Sequence, residues 1–147
     1  MIKTFRGLLD DGEQDRIRLS TKKGKIGYKI IKFELFPKTP GAASAEHVVK
    51  VYKISQATID GNVDFSDGNL LAAGFTNNYS DATAYNLTQY TIFEQEVFNQ
   101  DIFVTHKDMA TGEECNYYLE VEAFTLSDNA AAVSTLRDIR LNPQVGA

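Results

Sequence analysis

From residue 14 onward, apolar and polar positions alternate with the period of two that marks strands with one buried face. Residues 14–20 alternate around Ile17 and Leu19, and residues 25–36 form a long run rich in Ile, Tyr and Phe. Thr21-Lys22-Lys23-Gly24 supplies turn residues between them, which predicts a hairpin. In the longer run Ile26, Tyr28 and Ile30 share one parity, and Ile31, Phe33 and Leu35 the other. A bulge or a bend near Ile30 and Ile31 would turn both sets to the buried face. Pro37 and Pro40 end that strand, residues 38–45 read as a small-residue loop, and residues 48–54 as the next strand. Two turns, Asp60-Gly61-Asn62 and Ser66-Asp67-Gly68-Asn69, flank a short extended piece at Val63-Asp64-Phe65. Apolar character returns over 70–75, and the polar stretch 76–88 predicts an exposed loop. Three further strands are expected over 90–98, 101–106 and 115–126, the last two joined as a hairpin by 107–114. In the last of them Cys115, Tyr117, Leu119, Val121 and Ala123 alternate with Asn116, Glu120 and Glu122, the pattern of a sheet with one wet face.

The chain's last stretch has a different period. Ser127 followed by Asp128 makes an N-cap with an acid in the first turn. Ala130 to Ala132 favour helix, and Val133, Leu136 and Ile139 follow at helical spacing. Arg137 and Arg140 lie where a helix dipole favours cations, and Pro143 stops the element, which predicts one α-helix over about 127–141. Roughly eight short strands with turns between them predict one all-β, mainly antiparallel domain over residues 1–147. The expected architecture is a β-sandwich with a single C-terminal α-helix, and a jelly roll is among the arrangements it admits.

Composition supports a folded domain: 147 residues, 43% hydrophobic and 24% charged, can build their own core. A net charge of -5 weighs against direct contact with a nucleic-acid backbone, which clustered Lys and Arg would serve. The single cysteine, Cys115, rules out an intrachain disulfide. The N-terminus has no apolar stretch of signal-peptide kind, and no window reaches the ~18–20 apolar residues of a membrane span. The expectation is therefore synthesis in a cytoplasm, with no membrane partner.

Candidate chemistry is sparse. In the run from Asp60 to Gly68, the oxygens of Asp60, Asn62, Asp64 and Asp67 could converge on calcium. Phe65, however, stands where a calcium loop needs glycine, and Leu71 where it needs the bidentate glutamate. Turn chemistry is the preferred account, and a solvated turn likewise accounts for Asp10, Asp11, Glu13 and Asp15. His47 and His106 have no zinc-type spacing to each other or to Cys115. Cys115 lies on the apolar parity of its strand, as a buried structural thiol would. Glycine-rich phosphate cradles, nucleophile elbows and paired-histidine metalloprotease motifs are missing from the sequence. No catalytic residue, metal or cofactor is assigned. Lys22, Lys23 and Lys25, with Arg16 and Arg18, form a basic set that could meet an acidic partner or phosphate, although a solvated hairpin tip that protects a sheet edge is the preferred account. The aromatics Tyr79, Tyr85, Tyr90, Phe93 and Phe98, on or beside the long polar loop, make the preferred interface together with Lys22 and Lys23, and capping of the core is an equal reading of the aromatics.

Several stretches also carry a family likeness: Arg16 to Leu19, Gly27 to Phe33, Val63 to Ala72, Glu96 to Ile102, Asn116 to Glu120, and Leu126 to Asp128 with Thr135 to Arg140. They cover nearly the whole chain, which resembles small virion proteins of tailed bacteriophages, particularly marine ones. The resemblance implies a structural role in the particle and supplies no catalytic residue. The expected function is non-enzymatic, as a capsid decoration, cement or minor capsid protein. Its partners would be other virion proteins, either the major capsid protein or copies of itself, with the chain present as a homo-oligomer or in many copies. Alternatives are a tail- or fibre-associated module, a carbohydrate- or calcium-binding β-sandwich, and a hydrolase whose cleft gathers Cys115, a histidine and a carboxylate.

Overall fold

The computed structural model describes residues 1–41, 44–78 and 87–127, and within them eight strands. In chain order these are β1 (Ile2–Leu9), β2 (Gln14–Ile17), β3 (Ile26–Pro37), β4 (Ala45–Tyr52), β5 (Leu70–Asn78), β6 (Thr88–Ile92), β7 (Ile102–Asp108) and β8 (Cys115–Thr125). They form two antiparallel sheets, one of order β1-β8-β3 and one of order β2-β7-β4-β5-β6. The expected all-β, mainly antiparallel class is the observed one. Beyond Ser127, the expected helix over 127–141 lies outside the described residues.

Periodicity explains the three-stranded sheet. β8 runs through its centre, with Cys115, Leu119 and Val121 fully buried and Asn116, Tyr118 and Glu120 half-exposed on the other face. The bulge expected in β3 is present: Ile30 pairs with Val121 and Lys32 with Glu120, so Ile31 is the extra residue. Tyr28, Ile30, Phe33 and Leu35 all reach the core as a result. The same core takes Ile17, Val49, Val51, Leu71, Ile102 and Val104 from the facing sheet and its connections. At roughly 1.5–3 kcal/mol for each large apolar side chain fully buried, this interlayer is the main source of stability.

Strand β1 has no counterpart in the expected pattern. Its inward positions are Lys3, Phe5, Gly7 and Leu9, while Ile2 and Leu8 face out. Lys3 is tolerated inward because its ammonium lies over the Tyr28 ring, 5.7 Å from the centroid. Gly7 leaves room for Tyr117, whose Cε1 would stand 2.8 Å from an added Cβ.

Both expected hairpins are crossovers. β2 pairs with β7 and β3 with β8, so the Thr21 to Gly24 turn carries the chain from one sheet to the other. The turn itself is as expected, with the Gly24 amide donating to the Thr21 carbonyl at 3.2 Å and Gly24 at φ 64°. What diverts the chain is Asp101, whose Oδ1 accepts the amides of Leu19 and Ser20 at 2.7 and 2.8 Å while Leu19 sinks into the core. Residues 107–114 likewise link β7 in one sheet to β8 in the other. There the Asp108 carboxylate gathers the amides of Ala110 and Glu113 and that of Glu46.

Two further expectations are corrected. The short piece at Val63 to Phe65 pairs with no strand and lies in an exposed loop, with Phe65 inside the turn closed by the Asp67 amide donating to the Asp64 carbonyl. The expected strand 90–98 ends at Ile92; a turn follows, with the Glu96 amide donating to the Phe93 carbonyl at 3.1 Å. Tyr90 pins β6 against β3: its hydroxyl accepts the Leu35 amide at 3.1 Å and donates to the Leu35 carbonyl at 3.3 Å.

Candidate functional site

The acidic turns cross the outer face of the five-stranded sheet over Lys50, whose side chain is only 4% exposed. The Lys50 ammonium donates to Asp60 Oδ1 at 3.1 Å and to the Asn62 carbonyl at 2.5 Å. That hydrogen bond holds the Asp60 carboxyl below its ordinary range. Asp64 is lowered too, because its Oδ1 accepts the Ser66 hydroxyl at 2.6 Å and the Ser66 amide at 2.9 Å. Asp67 Oδ1 accepts the Asn69 amide at 2.9 Å. Asp60, Asn62, Asp64 and Asp67 thus come together, and with Tyr52, Gln56, Thr58 and Thr105 they line a polar pocket of about 190 Å³. The lysine ammonium stands at Asp60, where a bound cation would be sought.

The expected interface residues separate. Tyr79 and Tyr85 lie outside the described residues. Lys22 and Lys23 are exposed at the crossover turn, whereas Arg16 is engaged, its Nη2 2.6 Å from Asp101 Oδ2. Tyr90 is 38% exposed, with its hydroxyl committed to Leu35. Phe93 is half-buried and meets Phe65 edge to face, ring centres 5.3 Å apart. Phe98 cannot contact a partner: it is buried, stacks on Tyr28 at 6.0 Å, and exchanges two backbone hydrogen bonds with it. A strand-like sequence around Phe98 therefore serves the core.

Apolar side chains do reach solvent elsewhere. On the three-stranded sheet Leu8 and Phe36 flank Asn116 in one cross-strand row, and Arg6, Tyr118 and Glu34 form the next. These rows bound a shallow groove of about 500 Å³, with Phe36 65% exposed. On the outer face of the other sheet, Val63 and Phe65 border a second groove with Ala73, Phe75, Gln89 and Thr91, about 290 Å³ in volume.

The most concentrated chemistry is inside. His47 at the start of β4, His106 near the end of β7 and Cys115 at the start of β8 each bring one ligating atom within 4.8 Å of the other two. All three are fully buried. His47 Nδ1 and His106 Nε2 share a hydrogen bond of 2.9 Å, and His106 Nδ1 lies 2.9 Å from the Asp10 carbonyl. A carbonyl only accepts, so His106 Nδ1 carries the proton and, in the neutral ring, Nε2 is bare. His47 then donates from Nδ1, and its Nε2 is left buried without a hydrogen-bond partner. Burial, then the neighbouring His106, pushes the His47 pKa down, keeping that ring neutral. Burial pushes the Cys115 thiol up to about 12. The group has the members of a nucleophile–base pair, yet as a protonated thiol sealed from solvent Cys115 offers no attacking thiolate.

Spacing in the sequence could not reveal this cluster, since its members come from three strands in two sheets. A usable signal was parity: His47 falls in register with Val49 and Val51, and His106 with Val104 and Ile102, all of them core positions. Among known proteins, no family model matches the chain and no curated protein matches it.

Proposed function

We propose that the chain is a non-enzymatic structural protein of a tailed-bacteriophage virion, acting as a decoration, cement or minor capsid protein. It is made in the host cytoplasm and packs in the particle against the major capsid protein or copies of itself. The observation that carries this reading is apolar surface on both outer faces: Leu8 and Phe36 on one sheet, Val63 and Phe65 on the other. Exposed apolar grooves with polar rims are typical of association surfaces. Two different grooves on opposite faces suit a molecule held between neighbours, where a closed pair would need only one.

The strand pairing supports the jelly-roll form of the sandwich. β1 pairs with β8, β2 with β7 and β4 with β5, while Tyr90 ties β6 to β3, which nests the pairs as in a ribbon folded over itself. That architecture recurs among viral capsid and lectin domains, an analogy of fold only. The sequence resemblance to virion proteins points the same way, and the buried, protonated Cys115 favours a non-catalytic role.

Light scattering on the purified chain tests the association. Phe36→Asp and Phe65→Asp remove exposed apolar surface, so each is expected to weaken association at least tenfold; Phe36→Asp should move stability by no more than about 0.5 kcal/mol, and Phe65→Asp by about 0.5–1.5 kcal/mol because Phe65 also packs on Phe93. Association unchanged in both variants would remove these faces from the reading. Electron microscopy of labelled particles tests the place: label confined to the tail would replace the capsid reading with a tail or fibre module. The polar pocket around Asp60 favours a second reading, a carbohydrate-binding sandwich, with calcium disfavoured by the Lys50 ammonium. A glycan-array signal lost in Asp60→Ala would support it.

A further inference from the structure

We propose that His47, His106 and Cys115 form a binding site for one zinc-class metal ion, a two-nitrogen, one-sulfur donor set that ties the two sheets together. The cluster bridges the layers, with both histidines on the five-stranded sheet and the cysteine on the three-stranded one. Imidazole and thiolate are the donors that such an ion prefers, and a soft sulfur excludes calcium and magnesium.

Two observations beyond proximity point to an ion. The first is His47 Nε2, a nitrogen in a fully buried ring with no hydrogen-bond partner. A buried polar atom left unpaired costs about 1–3 kcal/mol, and coordination through Nε2 removes that defect. The second is the support of His106, whose Nδ1 donates to the Asp10 carbonyl at 2.9 Å, so that Nε2 carries the lone pair, now accepting from His47 Nδ1, that the ion would take. Metal-binding histidines are held in this way by a carbonyl or carboxylate on the far nitrogen. The Asp10 turn is itself fixed on β7 by the Gly12 amide donating to the His106 carbonyl at 2.9 Å.

The geometry requires a rearrangement of the two rings. Donors about 2.0–2.3 Å from a tetrahedral ion stand roughly 3.3–3.7 Å apart. His47 Nδ1 and His106 Nε2, now 2.9 Å apart, must part for the ion to enter, and the ligating atoms of the group, within 4.8 Å of one another, must settle to that spacing. Binding releases one proton, that of the Cys115 thiol, whose electron pair forms the bond to the ion; both imidazoles remain neutral. With one cysteine the chain has no disulfide to join its layers, and the ion would serve as that cross-link. A site sealed in the core fills as the chain folds, so loading belongs to refolding.

The test is to denature the whole chain, refold it with and without one equivalent of zinc, dialyse, and weigh it by native mass spectrometry. One zinc per chain and a melting temperature raised by several degrees are expected. Refolding with cobalt should give a thiolate-to-cobalt absorption band in the near ultraviolet, which zinc abolishes. Cys115→Ala should lose that band, and His106→Gln should bind at least tenfold more weakly. No retained ion, or bound cobalt without a thiolate band in the unaltered chain, would overturn the proposal. Both readings come from the unaltered protein and so hold even if the variants fail to fold.

Discussion

One carboxylate, Asp101, fixes the edge of the five-stranded sheet and sets a pH limit on it. Its Oδ1 accepts the amides of Leu19 and Ser20, and its Oδ2 accepts Nε and Nη2 of Arg16 at 2.8 and 2.6 Å. Burial alone pushes this carboxyl up. The Ser20 and Leu19 amides and the guanidinium outweigh it and hold the carboxyl below its ordinary range. A carboxylate whose folded pKa is lowered contributes its stability fully above its unfolded value of about 3.9 and loses it as pH falls through the folded value. Asp101→Asn keeps an acceptor for the amides but sets an NH₂ group against Arg16, and the expected cost at pH 7 is about 2–3 kcal/mol. Urea denaturation should show that difference shrinking once the pH drops below about 4; a constant difference down to pH 2 would contradict it. None of this was legible in the sequence. Arg16 looked like one of several basic residues near a turn, and its partner lies 85 positions away. His47 and His106 were hidden for the same reason, because a cluster made by strand pairing leaves no local spacing.

Elements were legible where one face is uniformly apolar and obscure where a special contact replaces an apolar side chain. β8 could be read residue by residue, and so could the change of parity in β3. β1 could not, because Lys3 and Gly7 hold inward positions for reasons that reside in Tyr28 and Tyr117. Sheet membership was also hidden: Thr21 to Gly24 has the chemistry of a tight turn whichever sheet receives the next strand. The β3 bulge makes a sharp prediction. Since Ile30 pairs with Val121 and Lys32 with Glu120, deleting Ile31 leaves a regular register in which Ile30 and Phe33 still face inward. The expected loss is the burial of one half-buried isoleucine, about 1–1.5 kcal/mol. Deleting Glu34 instead cannot be absorbed there: even with the bulge given up, Phe33 takes an outward position and Lys32 an inward one, since a one-residue slip reverses the side chains it moves. Chemical denaturation should find the Ile31 deletion folded and the Glu34 deletion unfolded or nearly so. Equal damage from both would mean that the bulge is not a removable insertion.

At the scale of the whole molecule, apolar grooves and net charge pull in opposite directions. The chain carries a net charge of -5, so copies repel one another at long range, while Leu8, Phe36, Val63 and Phe65 attract at contact. The charged pairs on the three-stranded face, Lys29 with Glu122 and Lys32 with Glu34, are satisfied within the chain at 3.6 and 3.3 Å, leaving them little to give a partner. Salt therefore separates the two kinds of neighbour. Raising ionic strength from about 0.01 to 0.15 M shortens the screening length from roughly 30 to 8 Å. Repulsion between like copies then fades while apolar contact persists. Self-association through the grooves is expected to strengthen several-fold over that range by light scattering. Docking on a basic shell protein would weaken instead, because there the net charge is the attraction. If self-association itself weakened with salt, ion pairs such as Arg6 with Glu34 of a neighbouring copy would be holding the contact, and the apolar groove would no longer be its cause.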